Sequence, residues 1–510
     1  MSAYHKHTGF GIILFLLVSL LLSSCGLSET ASSKAIAASA SSKTDTEMVS
    51  SAEPAEEAPA WDFVFQDSVW GLTLQKYQGS QAVVRVPAEF EGKPLRMVGP
   101  EAFRDCQTVT EVTLPETVRY IGDYAFCNTA LQEIHLPDSL EEIGVGAFQA
   151  CAFLKKAELP EGVTRVPAFA FCGDHSLSAV SLPAGLTVIE ESAFQYCLSL
   201  TSVQIPDLTC RLEKRAFMAC SALTRVRFPA LLESIGEEAF AFCDLLEEVA
   251  LPEGLEALGT GAFANCPALK ELRLPVSLHR ISGNPVYGSP CRLIPAEESR
   301  HLTGENGVLL HPATRTVLAL LNPLTRTLRL PESAAAIADY AFYNTPLHTV
   351  ELPSDLTRIG PYAFAGTRLR TLRLPSALES IGEGAFQGCS RLRALRIPDS
   401  AGFLGSGALS ACPLLQQVSL PGSLRCIYQN TFRACSSLES ITIPESVSLI
   451  QSSAFWQCSS LKNLRIEGRV SHVGAYAFPL NDPPLLIRSP GGDAVEAWCQ
   501  GEEKVRFLKD

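Results

Sequence analysis

Apolar residues recur along the chain in one pattern with a period of 22 or 23 residues. The copy at residues 131–151 reads LQEIHLPDSLEEIGVGAFQAC, and its skeleton is L-x-x-[VIL]-x-L-P-x-x-L-x-x-I-G-x-x-A-F-x-x-C. A fixed period of this length predicts a solenoid, in which each repeat forms one rung and contacts only its neighbours. The Phe of the Ala-Phe pair, replaced once by Leu, marks the rungs at Phe103, Phe126, Phe148, Phe171, Phe194, Phe217, Phe240, Phe263, Phe342, Phe364, Phe386, Leu409, Phe432, Phe455 and Phe478.

Each rung begins with a segment that alternates between apolar and polar residues. In the copy above, Ile134 and Leu136 are expected to face the core, while Glu133 and His135 face solvent. The Pro that follows ends this strand because it cannot donate to a sheet ladder. The Ile-Gly pair predicts a second extended segment, and the Ala-Phe pair predicts a short helical turn. The expected fold is an α/β repeat solenoid, rich in β structure, whose rungs stack into parallel sheets.

Segments without the repeat divide the chain. In residues 282–327 the sequence predicts a β-hairpin island inside one enlarged rung, with strands at 304–310 and 316–320. Short alternating strands at 61–100 and a strand–helix–strand pattern at the end predict caps that cover the exposed ends of the solenoid core. The predicted segments are a signal peptide (1–24), a flexible tether (25–60), an N-terminal β cap (61–100), a first repeat block (101–281), the island (282–327), a second repeat block (328–478) and a C-terminal cap (479–510).

The N-terminal segment resembles a bacterial lipoprotein signal. An apolar run at residues 12–22 is too short for a stable membrane span and ends in Leu22-Ser23-Ser24-Cys25-Gly26. In such signals the Cys becomes the lipidated first residue, so Cys25 is the expected lipid-attachment site. The alternative is an ordinary secretory signal with an incidental Cys. The next residues are rich in Ser, Ala, Glu and Thr, which predicts a flexible tether to the membrane.

Composition narrows the function classes. The formal net charge of −13 does not suggest a nucleic-acid partner, which would favour a basic protein. Ten of the 17 cysteines occupy the last position of the repeat, where other rungs carry Thr or Asp, such as Thr129 and Asp174. A position shared by these residues is small and buried, so most of the thiols are expected to be free. Disulfides between neighbouring rungs stay an open alternative. The sequence contains no C-x-x-C pair, so zinc is only weakly supported, and no cofactor is expected.

Motifs for catalysis are absent from the sequence. It contains no Walker loop, H-E-x-x-H, G-x-S-x-G or dinucleotide-binding fingerprint. The carboxylates on the predicted strands are interpreted as a solvated face, and the histidines are scattered. We therefore do not expect an enzyme.

The outward strand positions are where a solenoid of this kind usually binds ligands. Arginine is frequent at these positions, and it is densest in two adjacent rungs of the second block. This predicted patch is a candidate site for anionic groups such as carboxylates, sulfates or sialic acids, since Arg offers them bidentate contacts. The alternative is a set of solvated charges that keeps the sheet soluble. The patch consists of Arg368, Arg370 and Arg373, in register with Arg391, Arg393 and Arg396.

Three features together resemble the BspA-like leucine-rich-repeat family of bacterial surface proteins: the L-P-x-x-L-x-x-I-G-x-x-A-F-x-x-C units, the island segment GENGVL at 304–309, and GGDAVEA at 491–497. The resemblance implies a curved, right-handed leucine-rich-repeat stack on a cell surface. It also implies adhesion, so the expected function is a lipid-anchored adhesin whose concave sheet binds a host matrix protein, a glycan or another cell. One alternative is a self-associating surface coat or spacer. Another is a glycan-capture lipoprotein, which the lack of aromatic residues at the outward strand positions disfavours.

Overall fold

The computed structural model describes residues 62–69 and 71–509. The predicted signal peptide, the predicted lipid site Cys25 and the predicted tether lie outside the described residues. Within the described part of the chain, no helix combines the length and apolarity needed to cross a bilayer.

The described residues form a solenoid that is mostly β structure, built from 39 short strands and one helix. The helix α1 (Ala494–Cys499) lies between the last two strands. The strands are β1 (Phe63–Ser68), β2 (Gly71–Tyr77), β3 (Val83–Arg85), β4 (Glu89–Phe90), β5 (Lys93–Val98), β6 (Glu111–Thr113), β7 (Tyr120–Ile121), β8 (Glu133–His135), β9 (Glu142–Ile143), β10 (Lys156–Glu158), β11 (Arg165–Val166), β12 (Ala179–Ser181), β13 (Val188–Ile189), β14 (Ser202–Gln204), β15 (Arg211–Leu212), β16 (Arg225–Arg227), β17 (Ser234–Ile235), β18 (Ala257–Leu258), β19 (Glu271–Leu274), β20 (Arg280–Ile281), β21 (Arg292–Pro295), β22 (Thr303–Glu305), β23 (Val308–His311), β24 (Thr316–Leu320), β25 (Thr327–Arg329), β26 (Ala336–Ile337), β27 (Thr349–Glu351), β28 (Arg358–Ile359), β29 (Ser380–Ile381), β30 (Ala394–Arg396), β31 (Phe403–Leu404), β32 (Gln417–Ser419), β33 (Cys426–Ile427), β34 (Ser440–Ile443), β35 (Leu449–Ile450), β36 (Asn463–Ile466), β37 (His472–Val473), β38 (Leu485–Ser489) and β39 (Val505–Lys509).

Each rung contributes a strand to two parallel rows. The first row is made by the L-x-x-V-x-L segments, in which Val112 of β6 pairs with Ile134 of β8. The second row is made by the x-I-G segments, in which Ile121 of β7 pairs with Ile143 of β9. The second row is interrupted after β9, because Pro167 occupies the Gly position of the next rung and has no N–H to donate.

The Ala-Phe segments close the third side of each rung with turns rather than with the predicted helical turn. In one rung the N–H of Cys127 donates to the carbonyl of Tyr124 at 3.1 Å, which closes a four-residue turn. Tyr124 and Asn128, on either side of it, both have φ of +55°. These left-handed residues direct the N–H of Phe126 toward the next rung, where it donates to the carbonyl of Ala147 at 2.7 Å. The segment thus forms a third inter-rung ladder, and the only α-helix among the described residues is α1.

The core is a column of equivalent side chains, of which the phenylalanines are the largest. From Phe103 to Phe263 the distance between successive ring centroids is 4.9–5.4 Å, and the rings are stacked. The column is interrupted at Leu409, which stands between Phe386 and Phe432. These rings are fully buried. Stacking of this kind stabilises an aromatic pair by about 0.5–1.5 kcal/mol beyond the burial of its area.

The predicted island is a layer of the core and not a surface insertion. Residues 282–327 lie between the two repeat blocks, and we call this region the joint. In the hairpin β23–β24, the paired residues Leu309 and Ala319 belong to the core of the first block. The paired residues Val308 and Leu320 belong to the core of the second block. Both faces of the hairpin are therefore buried, and the joint carries the apolar column from one block to the other.

Asn284 fastens the two blocks to each other on the turn side of the joint. Its side chain is buried, and Nδ2 donates to the carbonyls of Tyr340 at 3.1 Å and Ala341 at 3.3 Å. Its backbone N–H donates to the carbonyl of Asp339 at 3.2 Å. The blocks thus stack directly here, although 54 residues separate Asn284 from Asp339 in the sequence.

The two ends of the solenoid carry elements that differ from the repeat, at the places where the sequence predicts caps. At the N-terminal end β1 and β2 pair antiparallel. At the C-terminal end β38 and β39 pair in parallel and are connected through α1. The helix begins after Asp493, whose Oδ1 accepts hydrogen bonds from the N–H groups of Val495 at 3.1 Å and Glu496 at 3.3 Å. This is the usual arrangement of an N-terminal cap.

Candidate ligand-binding face

The six predicted arginines lie together on the outward side of the first strand row. A parallel bridge between Thr371 and Ala394 sets the register of the two rungs, and the N–H of Arg393 donates to the carbonyl of Arg370 at 3.4 Å. Arg373 and Arg396 are therefore neighbours across the rungs, each two residues beyond the bridge. Buried leucines alternate with the arginines along each rung and hold them outward. All six arginines are exposed: Arg368, Arg370, Arg373, Arg391, Arg393 and Arg396.

None of the six forms an ion pair with any residue that the structure describes. This distinguishes them from Arg329, which occupies the same strand position in an earlier rung. The guanidinium of Arg329 lies 3.1 Å from a carboxylate oxygen of Glu332 and 3.8 Å from one of Glu351. Like charges on adjacent rungs repel each other unless solvent, an acid or a ligand relieves the repulsion. No described acid relieves it for these six, which leaves solvent or a ligand.

Two residues that the sequence reasoning did not include extend the patch toward the joint. The N–H of His348 donates to the carbonyl of Arg326 at 2.7 Å, and the N–H of Arg370 donates to the carbonyl of His348 at 3.4 Å. Partial loss of solvent and then the positive charges of Arg370, Arg391 and their neighbours lower the pKa of His348. This histidine is therefore mainly neutral at pH 7. We call the eight residues Arg326, His348, Arg368, Arg370, Arg373, Arg391, Arg393 and Arg396 the basic face.

The same strand row carries mixed charges in the first block. Lys156 and Glu158 alternate on β10, and on β19 the guanidinium of Arg273 lies 2.7 Å from a carboxylate oxygen of Glu271. His135 on β8 lies 3.6 Å from a carboxylate oxygen of Glu133. The charge of the outward face thus changes from mixed to basic across the joint, as the sequence register predicts.

The cysteines are structural. All 16 cysteines in the described part of the chain are free thiols, as the repeat position predicts, and these residues contain no group of side chains able to hold a metal ion. At the repeat position the thiol donates to the carbonyl one rung earlier, as from Cys197 to Phe171 at 3.3 Å and from Cys458 to Phe432 at 3.0 Å. Burial raises the pKa of Cys197 well above its usual value, so this thiol is unreactive at pH 7.

Asp174 occupies the thiol position in one rung. Its Oδ1 accepts a hydrogen bond from the N–H of Cys151 at 2.8 Å, and its Oδ2 has no partner among the described residues. Complete burial raises the pKa of this carboxyl far above its ordinary value. The side chain is therefore protonated at mildly acidic pH and costs stability when it ionises.

Comparison with known proteins places these features in a family. The family model described as a BspA-type leucine-rich-repeat region matches residues 92–198, 164–292, 323–371 and 357–482, which is more than half of the chain. The chain belongs to the BspA-type leucine-rich-repeat family. The matched residues include both repeat blocks and all six predicted arginines. A search of curated proteins by sequence found no match.

Solved structures similar to this BspA-type chain include three bacterial proteins. A leucine-rich cell surface protein from Faecalibacterium prausnitzii is 20% identical, with 81% of this chain and 89% of that chain covered and a TM-score of 0.41. A leucine-rich-repeat protein from Bacteroides ovatus is 22% identical, with 88% and 98% covered and a TM-score of 0.41. The pneumococcal vaccine antigen PcpA is 18% identical, with 79% and 93% covered and a TM-score of 0.43.

Proposed function

We propose that this protein is a lipid-anchored surface adhesin that binds an anionic ligand through its basic face. The observation that carries the proposal is the set of six exposed arginines without acidic partners among the described residues, in a chain of net charge −13. The expected ligand is an extracellular protein or glycan that presents carboxylates, sulfates or sialic acids. Membership of the BspA-type family and the lipoprotein-like signal ending at Cys25 support a location at the bacterial cell surface.

The arrangement of the face suits an extended polyanion better than a single small anion. Rungs in a parallel row lie about 4.8 Å apart, so the arginines of adjacent rungs form a two-dimensional grid. Each guanidinium presents several donors in a fixed plane and forms paired hydrogen bonds with carboxylate or sulfate oxygens. A ligand with several such groups contacts many arginines at once and relieves their mutual repulsion. Binding of this kind weakens as salt rises, because the face is exposed to solvent.

The test replaces four arginines of the basic face with serine and measures binding of the full-length protein to purified matrix proteins and sulfated glycans. Exposed ion pairs contribute about 0.2–1 kcal/mol each, so the loss of four contacts lowers affinity by roughly fourfold to several hundredfold. A matched variant removes the same number of positive charges outside the basic face and retains binding. The test variant combines R370S, R373S, R393S and R396S, and the control combines R211S, R225S, R227S and R273S.

Two results would remove the basic face from this account. One is binding that is unchanged in the test variant. The other is an equal loss in the test and control variants, which would mean that net charge alone governs binding. Unfolding curves for both variants establish that the exposed substitutions leave the solenoid folded.

A further inference from the structure

A cleft of about 750 Å³ opens on the second strand row at the joint. The row ends there at β20, which is the last strand of its sheet, and it resumes with β24 and β26. We call this opening the joint cleft. Its border includes side chains from both repeat blocks and from the hairpin turn, among them Ser234, Ala257, Arg280, His311, Asp339 and Arg358. The joint cleft lies on a different strand row from the basic face, so it is a separate site.

Small residues form the floor of the joint cleft. The first residue of each second-row strand is the outward one. Near the joint this residue is Ser234, Ala257, Thr316 or Ala336, each only half-buried, while on β20 it is the exposed Arg280. Longer side chains occupy the same position on either side, with Arg211 before the cleft and Arg358 after it. The small residues leave space that a bound molecule can fill, and arginines at positions 280 and 358 border that space.

Asp339 borders the joint cleft with a carboxylate that lacks the hydrogen bond made by Asp123, its equivalent in an earlier rung. In an earlier rung the equivalent residue, Asp123, accepts a hydrogen bond at Oδ1 from the N–H of Val145 at 2.8 Å. In the rung after Asp339 the corresponding residue is Pro361, which has no N–H. The one described polar contact of the Asp339 carboxylate is with the guanidinium of Arg358 at 3.7 Å, too long for a hydrogen bond.

Partial burial raises the pKa of Asp339, and Arg358 acts in the opposite direction. About 38% of the side chain is still exposed, so a ligand can reach the carboxylate. A partly desolvated acceptor without a donor gains most from a partner that brings its own N–H or O–H group.

Other groups around the joint cleft complement Asp339. The Nδ1 of His311 accepts a hydrogen bond from the N–H of Thr314 at 3.3 Å, which leaves the ring proton on Nε2 as a donor. The Nδ1 of His279 lies 3.0 Å from the carbonyl of Ser277 and donates to it, which leaves Nε2 as an acceptor. Arg280, whose guanidinium also donates to the carboxylate of Glu256 at 3.2 Å, adds further donors. The cleft therefore offers both donors and acceptors from side chains, Glu213 among the acceptors, around a set of small uncharged residues.

We propose that the joint cleft binds a saccharide, with hydroxyl groups that donate to Asp339 and accept hydrogen bonds from His311 and Arg280. A hydroxyl both donates and accepts, and so it matches this mixed border. A simple anion would be attracted by Arg280 and Arg358 but repelled by Asp339 and Glu213, and it could not donate to either carboxylate. A peptide added as a strand would need a longer backbone edge than β20 provides, since β20 has only two residues and β26 is already paired on both sides. The proposal does not depend on the basic face.

The test screens the full-length protein against immobilised neutral, N-acetylated and uronic-acid oligosaccharides and then titrates the strongest binder by calorimetry. Asp339→Ala removes no hydrogen bond present in the structure, so it leaves folding intact and lowers affinity at least tenfold. Ala257→Trp fills the floor and abolishes binding, and Ser234→Trp repeats this blockade at a second position. Asp123→Ala, at the equivalent repeat position outside the cleft, leaves affinity unchanged.

The titration is repeated on the variant that lacks four arginines of the basic face, which is expected to bind the saccharide normally. The proposal is overturned if no oligosaccharide binds at millimolar concentration, or if Ala257→Trp and Ser234→Trp both bind as the wild type does. It is also overturned if an immobilised peptide panel, and not the oligosaccharides, is bound in a manner that Ala257→Trp blocks. Thermal unfolding of each variant separates lost binding from lost folding.

Discussion

The column of stacked phenylalanines allows the contribution of ring stacking to be separated from that of burial. Phe364 has a ring on both sides, at centroid distances of 5.1 Å to Phe342 and 5.5 Å to Phe386. Phe386 has a ring on one side only, because Leu409 follows it in the column. Both rings are fully buried in the same block. Phe364→Leu and Phe386→Leu therefore remove the same atoms and differ by one aromatic pair.

We expect Phe364→Leu to reduce the free energy of unfolding by about 0.5–1.5 kcal/mol more than Phe386→Leu, which is the range for one aromatic pair. The pair that makes the difference is Phe342–Phe364, whose rings are tilted by 37°. Urea unfolding with equal slopes for the two variants measures this difference. The loss common to both variants reports the cavity that the smaller side chain leaves. If Phe386→Leu costs as much as Phe364→Leu or more, the aromatic pair adds nothing to burial, and this part of the column is stabilised by apolar packing alone.

Two further predictions concern buried positions of the repeat. Folding raises the pKa of Asp174, so the contribution of this carboxyl to stability is present below its unfolded pKa and is lost as pH rises. The free energy of unfolding of Asp174→Asn should therefore equal that of the wild type near pH 4 and exceed it by about 1–3 kcal/mol at pH 7.5, as measured by parallel urea titrations. A Cβ at Gly259 would lie 2.4 Å from the backbone nitrogen of Glu237, whereas one at Gly422 would meet nothing within 4 Å. Gly259→Ala should therefore cost about 1–3 kcal/mol and Gly422→Ala almost nothing, and equal thermal shifts would contradict this account of the close rung contact.

The repeat made most of the fold predictable. Because each rung repeats the same apolar positions, the pattern placed both strand rows, the buried column and the free thiols. It also placed Arg370 beside Arg393, since a spacing of 23 residues is one rung. The helical turn expected at the Ala-Phe pair was wrong. Residues such as Tyr124 and Asn128 adopt positive φ there, a conformation that non-glycine residues rarely take and that the sequence pattern does not predict.

The joint was harder to predict, because its structure depends on which rungs become neighbours. The run Val308-Leu309-Leu310 is apolar at every position, a pattern typical of a strand buried on both faces. Because this run was interpreted as part of an inserted hairpin, the sequence did not show that the hairpin would join the cores of the two blocks. To predict the exposed acceptor at Asp339, one must also know that Pro361 of the next rung stands where another residue would donate an N–H to it. That fact was present in the sequence once the rungs were aligned.

The two proposed sites arise from different properties of a repeat solenoid. Outward strand positions do not contribute to the buried column, so arginines can accumulate on successive rungs without disturbing the core, and a flat charged face results. The joint cleft instead lies where the stacking changes, because the second strand row stops there at β20 while the hairpin continues the core. The basic face begins at Arg326, just after that hairpin. A flat charged surface and a polar cleft thus adjoin one interruption of the repeat, and substitutions in one leave the other unchanged if the sites are independent.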